Sequence, residues 1–422
     1  MSNSPPANAF SRWLNKPYAP SARHIPELNG LRVLLVFIVS WYHFWQQSWL
    51  TPYVGRYSLD WLVRSGYVPV DGTILLSGFL LFLPHARSML LGDPVPDVRS
   101  FYQKRVMRIV PSYYFVTLLM LFVVAIPYGL YWRPADMWRD LLMHLTFTQT
   151  FNYSTYIGTP IGVASWTIAI EMQAYLIFPL LAKCARKNPL ATFSTMMAAA
   201  WGFRSWCLWS MTDYNMVVNQ VINFMDIYAL GMAAALIYVK LTTLWPKKKT
   251  EQLLCSAVAT MVLILAIWGL VVTLKAQAGS SGTFGIQGGQ MMRRPIFGLL
   301  LTAVTLSLPF ALRPVRFLFG NHLMGFLALI SMNYYLIHQN IAVHLKRVQF
   351  PPAENYPAPN MAPGGTEQPW ADQYTFLCFS LSLVTATAIT FLIEKPGAWL
   401  LGKLFKKLNG AIDRRRAQKN AS

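Results

Sequence analysis

The stretch LNGLRVLLVFIVSWYHFWQQSWL at residues 28–50 decides how the chain is read. It is long and apolar enough to cross a hydrocarbon core of ~30 Å as one helix. Arg32 stands near one end and His43 near the other, eleven residues apart and so ~16 Å along a helix axis. Ionisable groups inside a membrane span are costly and mark a functional site by default.

Similar stretches recur along the chain. Of 422 residues, 55% are apolar and 12% charged, more apolar surface than a soluble domain buries. The pattern predicts an all-α, polytopic integral membrane protein with ten spans, near 28–50, 66–86, 110–131, 163–184, 190–211, 217–240, 252–274, 294–312, 323–345 and 374–400. With both termini placed in the cytoplasm, about 26 of the 36 Lys and Arg fall inside, the expected positive-inside bias. The predicted organisation is a disordered cytoplasmic tail at 1–25, a transmembrane domain at 26–402 and a basic cytoplasmic tail at 403–422. Residues 1–25 lack the layout of a cleaved signal. Three loops, 132–162, 275–293 and 346–373, fall outside, where an extracytoplasmic partner is met.

The formal charge of +20 does not point to nucleic acid, because the positive clusters follow the loops of alternate spans and meet anionic membrane lipids. Cys184, Cys207, Cys255 and Cys378 have no disulfide or metal-ligand spacing, so packing roles and no metal are expected.

Depth along each span sorts the polar residues. His43 and His338 lie ~10 Å and Glu171 ~12 Å from the outer ends of their spans, with Asp71 and Asp226 also in the outer halves. Five helices therefore bring acid or imidazole groups to one level, where they share protons around a wet cavity or form a helix-packing network. His24, His85, His144, His322 and His344 fall at span ends or in loops, where solvated or interfacial roles are expected. Arg32 lies in the inner third, near Arg105 and Arg108, which share a helix face at i, i+3. Guanidinium forks suit phosphate, and ordinary positive-inside anchoring is the bland alternative for the pair. Pro111 is expected to open the third span. A phosphate-bearing donor entering from the cytoplasm would leave its head group at the arginines and extend a pantetheine-length arm toward His43.

These residues carry a resemblance. The chain resembles the acyltransferase-3 family of bacterial transmembrane acyltransferases over nearly all of residues 25–400. Arg32 and His43 fit an Arg-x10-His signature, and Leu76-Ser77-Gly78-Phe79 fits Leu-Ser-Gly-Phe with Asp71 just upstream. Arg105, Arg108, Ile109 and Pro111 fit Arg-x-x-Arg-Ile-x-Pro, and Trp166 through Glu171 resembles Trp-Ser-Leu-x-Val-Glu. Asp226 through Gly231, Ser331 through His338, and Glu394-Lys395-Pro396 resemble the remaining motifs. Met172, Ala174 and Met332 depart from the pattern and bear on acceptor preference.

The resemblance implies transfer of an acyl group from acyl-CoA, most often acetyl-CoA, to a hydroxyl of a cell-surface or lipid-linked polysaccharide or glycolipid. The setting is the bacterial cytoplasmic (inner) membrane. A separate periplasmic transferase or polysaccharide export machinery is a further partner compatible with this chemistry. His43 is then the base, or alternatively a transient acyl carrier, because a neutral imidazole of pKa ~6.5 can take a hydroxyl proton. Glu171, or instead Asp71, is expected to orient it. Arg32, Arg105 and Arg108 are expected to hold the CoA phosphates. Ser77 and Asn152 are candidate oxyanion donors, and Trp166, Asp226 and His338 are candidate acceptor contacts. Two other classes remain open. A proton-coupled transporter also needs intramembrane acids and histidines, but no paired repeats are evident. A structural subunit of an export machine leaves the charged axis of the first helix unexplained.

Overall fold

The computed structural model describes residues 18–162, 164–282, 284–352 and 368–421. Thirteen helices of eight or more residues organise them: α1 Glu27–Ser48, α2 Val70–Leu91, α3 Val98–Met120, α4 Pro134–Leu145, α5 Trp166–Lys187, α6 Pro189–Ser210, α7 Met225–Thr243, α8 Lys249–Ala278, α9 Gly289–Ser307, α10 Arg313–Gly320, α11 His322–Arg347, α12 Gln368–Ile389 and α13 Lys395–Ala421. The only strands among the described residues form a two-residue hairpin, Tyr53–Val54 against Tyr57–Ser58.

Among the described residues, eight helical stretches are long and apolar enough to cross a membrane, and nine if α10 and α11, bent by 42° at Asn321, make one span. The fold is that of an all-α polytopic membrane protein. The stretch expected at 190–211 is the 22-residue α6, which is not among those eight because Ser, Thr and Arg204 dilute its apolar content.

Two glycines hold the centre. Gly78 of α2 faces Tyr228 of α7 so closely that a Cβ would lie 2.7 Å from the Tyr228 carbonyl oxygen, and Gly231 meets the backbone of Leu75 and Phe79 in the same way. Small residues let helix backbones approach where lipid removes any hydrophobic drive to associate. Around this pair, α1 packs on α11, α11 on α12, and α8 on α9.

Several boundaries differ from expectation. Helix α3 starts at Val98, where the Asp97 carboxylate caps it by accepting from the Ser100 N–H at 2.7 Å. Pro111 therefore lies well inside α3, and its ring seats against Gly397, where a Cβ would come within 2.6 Å. Helices α12 and α13 join through a wide turn at Thr390–Glu394, so one helical run crosses the boundary expected at residue 402. Residues 18–25 are tied down and not disordered. The Tyr18 ring lies under the Arg316 guanidinium, 3.2 Å from ring centroid to Cζ, and its hydroxyl donates to the Pro309 carbonyl. Tyr238 donates to the carbonyl of Ser21. The rest of that tail, residues 1–17, and most of the loop at 346–373 lie outside the described residues.

The segment between α4 and α5 is folded into the helical layer. Gln149, Thr150, Thr155, Ile161 and Ser165 are all buried. Gln149 donates to the Tyr113 hydroxyl, and Gln173 donates to the carbonyl of Phe147. Asp140 anchors the segment by accepting from Tyr131 (2.7 Å) and Thr159 (2.8 Å) and pairing with His144 (3.0 Å). Burial and that carboxylate push the Tyr131 hydroxyl well above the usual phenol range. With this plug above it, α5 begins deep in the bundle. His144, expected in a solvated or interfacial role, is fully buried, and His85 nearly so.

Candidate active site

The polar residues singled out in the sequence fall into three separate groups, not one level. The first lines an open cavity of about 890 Å³, counting the solvent space at its mouth. Helix α1 contributes Arg32, α2 Ser77, α3 Arg105 and Arg108, α5 Glu171 and Tyr175, and α11 Tyr335. Three guanidinium groups thus face one carboxylate across the cavity. Glu171 shares this space with Arg32 because α5 starts so deep; a depth counted from the surface placed it too far out.

The arginines are not equivalent. Arg108 is paired with Glu394, which the wide turn points inward and which also accepts from Asn333 at 2.6 Å. Arg32 and Arg105 have no hydrogen-bonded or ion-paired partner among the described residues. The Arg105 guanidinium instead lies 5.8 Å from the Phe101 ring and 5.7 Å from the Tyr175 ring. Three guanidiniums against the one cavity carboxylate, Glu171, leave an excess of positive charge that suits an anionic ligand. Tyr175 donates to Glu171 (3.0 Å) and stands 3.3 Å from the Ser77 hydroxyl.

The second group is a histidine pair just beyond one end of the cavity. On α1 the lining residues are Arg32 and Val36, with His43 two turns further on. On α11 they are Ser331, Met332 and Tyr335, with His338 one turn further on. The Tyr335 ring lines the cavity and packs 5.3 Å from the His338 ring, which in turn lies 5.2 Å from that of His43. Tyr335 thus stands between the two groups.

Neither Glu171 nor Asp71 orients His43. The imidazole Nδ1 meets Gln46 Oε1 at 2.9 Å, and the Gln46 amide nitrogen donates to the Tyr42 hydroxyl at 2.8 Å. In this orientation of the amide Gln46 accepts from Nδ1–H, the tautomer in which Nε2 carries the ring's lone pair, and Nε2 has no hydrogen-bond partner among the described residues. His338 is held the same way. Its Nδ1 donates to the Tyr335 carbonyl at 2.7 Å, and its buried Nε2 has no partner among the described residues.

The third group is structural. Asp71 accepts from Arg294 Nε at 3.1 Å, and Asp226 pairs with Arg204 and accepts from Trp201 Nε1 at 3.1 Å. The four charged groups are almost completely buried and tie α2, α6, α7 and α9 together. Asn152 caps a short helix by accepting from Ser154 N–H at 3.0 Å, which occupies it away from the cavity. Trp166 packs edge-on to Tyr156. Of the cysteines, Cys207 and Cys378 are buried, while Cys184 and Cys255 are exposed.

Sequence reasoning missed Gln46, Arg204 and Arg294. Gln46 follows His43 by three residues on the same helix face, a spacing that could have revealed it. The two arginines sit 22 and 223 residues from their acids, and no local pattern announces them.

Fold and site together define an all-α polytopic membrane protein with a cationic cavity inside the bundle. Residues 25–394 match the family model described as an acyltransferase domain, Acyl_transf_3, and the chain belongs to this acyltransferase-3 family. It is 27% identical over 182 residues to the O-acetyltransferase OatA of Staphylococcus aureus, covering 40% of this chain and 26% of that protein. It is 24% identical over 174 residues to the peptidoglycan O-acetyltransferase OatA of Listeria monocytogenes, covering 38% and 24%. It is 28% identical over 172 residues to the acyltransferase MdmB of Streptomyces mycarofaciens, covering 40% and 42%. The matches thus span about a quarter of the two OatA proteins and less than half of MdmB. No solved structure matches the chain.

Proposed function

We propose that the protein is a membrane O-acyltransferase of the bacterial inner membrane. It moves an acyl group, acetyl in the first instance, from cytoplasmic acyl-CoA to a hydroxyl of a cell-surface or lipid-linked polysaccharide. The observation that carries this reading is the cavity with Arg32 and Arg105, unpaired among the described residues, beyond whose far end His43 stands behind the Tyr335 and His338 rings. The peptidoglycan named for the Listeria relative supports a glycan acceptor.

The chemistry follows from these groups. Arg32 and Arg105 bind the donor phosphates, with Arg108 held by Glu394 at the cavity rim. The acyl arm passes Tyr335 to reach His43. There Nε2 takes the proton of the acceptor hydroxyl as its oxygen attacks the thioester carbonyl. The tetrahedral intermediate collapses with cleavage of the C–S bond, and the imidazolium returns its proton to the departing thiolate. Gln46 keeps Nδ1 protonated throughout, and the Nε2 of His338 offers a second acceptor beside the charged ring. Glu171 offsets part of the arginine charge, so the donor binds without being locked in place.

The test is release of CoA from acetyl-CoA by the purified, reconstituted protein in the presence of a glycan acceptor. Acceptor-dependent release that disappears in His43→Ala supports the reading. Substrate counterflow without CoA release would show a transporter instead.

A further inference from the structure

A second cavity, of about 700 Å³ counting the solvent space at its mouth, lies beside the first where α2, α3 and α5 meet. His85, Phe101, Phe178, Lys183 and Arg186 are among its lining residues. Its aromatic wall is continuous: the Phe101 and Phe178 rings lie 5.0 Å apart, and Phe178 meets the His85 ring edge-on at 5.6 Å. Lys183 and Arg186 sit at i, i+3 on α5 and have no acidic partner among the described residues. The nearest acids in the chain segment that lines the cavity are engaged, Asp93 with Arg87 and Asp97 as the cap of α3. His85 is only 9% exposed, yet its Nδ1 has no hydrogen-bond partner among the described residues.

The two cavities share a wall. Phe101 lines the second and carries the Arg105 guanidinium that lines the first. On α5, Tyr175 lines the first cavity and Lys183 the second, eight residues and ~12 Å further along the helix. A ligand occupying both would therefore be extended, with one end against aromatic rings and two cations and its other end pointing at the histidine pair.

We propose that the second cavity binds the phosphorylated purine nucleoside end of the acyl donor. The purine stacks on Phe101, Lys183 and Arg186 pair with the ribose phosphate, and His85 Nδ1 takes a hydrogen bond from or gives one to the nucleoside. Aromatic stacking combined with charge-assisted phosphate contacts is the general chemistry of nucleotide capture. The assignment rests on the acyl-CoA reading above and extends it to the nucleotide. An anionic lipid headgroup offers the same phosphate but no purine, which separates the two sources experimentally.

The experiment measures binding of adenosine 3′,5′-bisphosphate to the full-length protein in nanodiscs, made of phosphatidylcholine alone or with added phosphatidylglycerol. CoA release from acetyl-CoA and from 3′-dephospho-acetyl-CoA is measured alongside. The expected result is saturable binding in both lipids, weakened at least tenfold by combined Lys183→Ala and Arg186→Ala substitution. The same variant is expected to lose the preference for acetyl-CoA over its 3′-dephospho form. Both side chains are exposed, and an unchanged unfolding temperature checks that the variant is folded; His85→Leu is the independent second variant. Wild-type binding that the double variant retains in full overturns the assignment while leaving the acyl-CoA reading intact. Loss of bisphosphate binding when phosphatidylglycerol is added overturns it in favour of a lipid site. If acetyl-CoA is never consumed, the acyl-transfer reading falls, and bisphosphate binding still decides the nucleotide site by itself.

Discussion

Replacing Gln46 with Leu isolates the orientation of His43 from its basicity. The hydrogen bond from Nδ1 to Gln46 Oε1, at 2.9 Å, is the contact that leaves Nε2 as the free lone pair. A bond of this kind contributes about 0.5–1.5 kcal/mol net. At ~1.4 kcal/mol per tenfold in rate, its loss lowers kcat by roughly 2- to 12-fold. Removing the base itself, in His43→Ala, is expected to cost ~10²- to 10⁴-fold. Gln46→Glu keeps an acceptor oxygen at the same place but adds a carboxylate that favours the protonated imidazole, so activity is expected to persist with the pH profile shifted upward. The assay is acceptor-dependent CoA release by reconstituted protein, with CoA binding measured separately. A kcat unchanged in Gln46→Leu would show that Nδ1 needs no partner, and a loss as deep as that of His43→Ala would make Gln46 part of the chemistry.

Other substitutions separate donor binding from scaffold. Arg32→Ala removes a charged hydrogen-bond donor worth about 1.5–3 kcal/mol, so KM for acetyl-CoA is expected to rise roughly 10- to 100-fold with a smaller change in kcat; steady-state kinetics decide. Arg294→Met leaves Asp71 buried without its partner and is expected to cost about 3–5 kcal/mol, read as a lower unfolding temperature in detergent. Adding Asp71→Leu is expected to recover much of that loss, whereas a catalytic Asp71 would leave the double variant stable but inactive. Gly231→Val forces a side chain into the Leu75 backbone and is expected to destabilise the α2–α7 contact by about 1–3 kcal/mol, lowering the yield of folded protein.

The helices were legible because apolar runs of spanning length admit few other readings. Arg32 and His43 stood out through their cost at membrane depth, and the i, i+3 spacing of Arg105 and Arg108 put both on one helix face, from which both line the cavity. Pairing across the bundle was illegible: Arg294 reaches Asp71, and Glu394 takes Arg108 out of equivalence with Arg105, through contacts that only the packed helices create. The depth of Glu171 was misjudged because a polar segment, 146–165, fills the space above α5, and its buried hydrogen bonds leave no mark in hydropathy. Pro111 looked like a helix start, but the helix begins at Val98 and carries the proline inside it, with its ring seated against Gly397 of a distant segment.

Every mechanistic step depends on a donor that runs from the arginine cavity past Tyr335 to the histidine pair. A structure of the protein with a non-hydrolysable acetyl-CoA analogue tests this directly. Phosphates against Arg32 and Arg105, a displaced Tyr335 ring and a sulfur within reach of His43 Nε2 are the expected result. A donor whose acyl end stops below an unmoved Tyr335, or turns away into lipid, would contradict it.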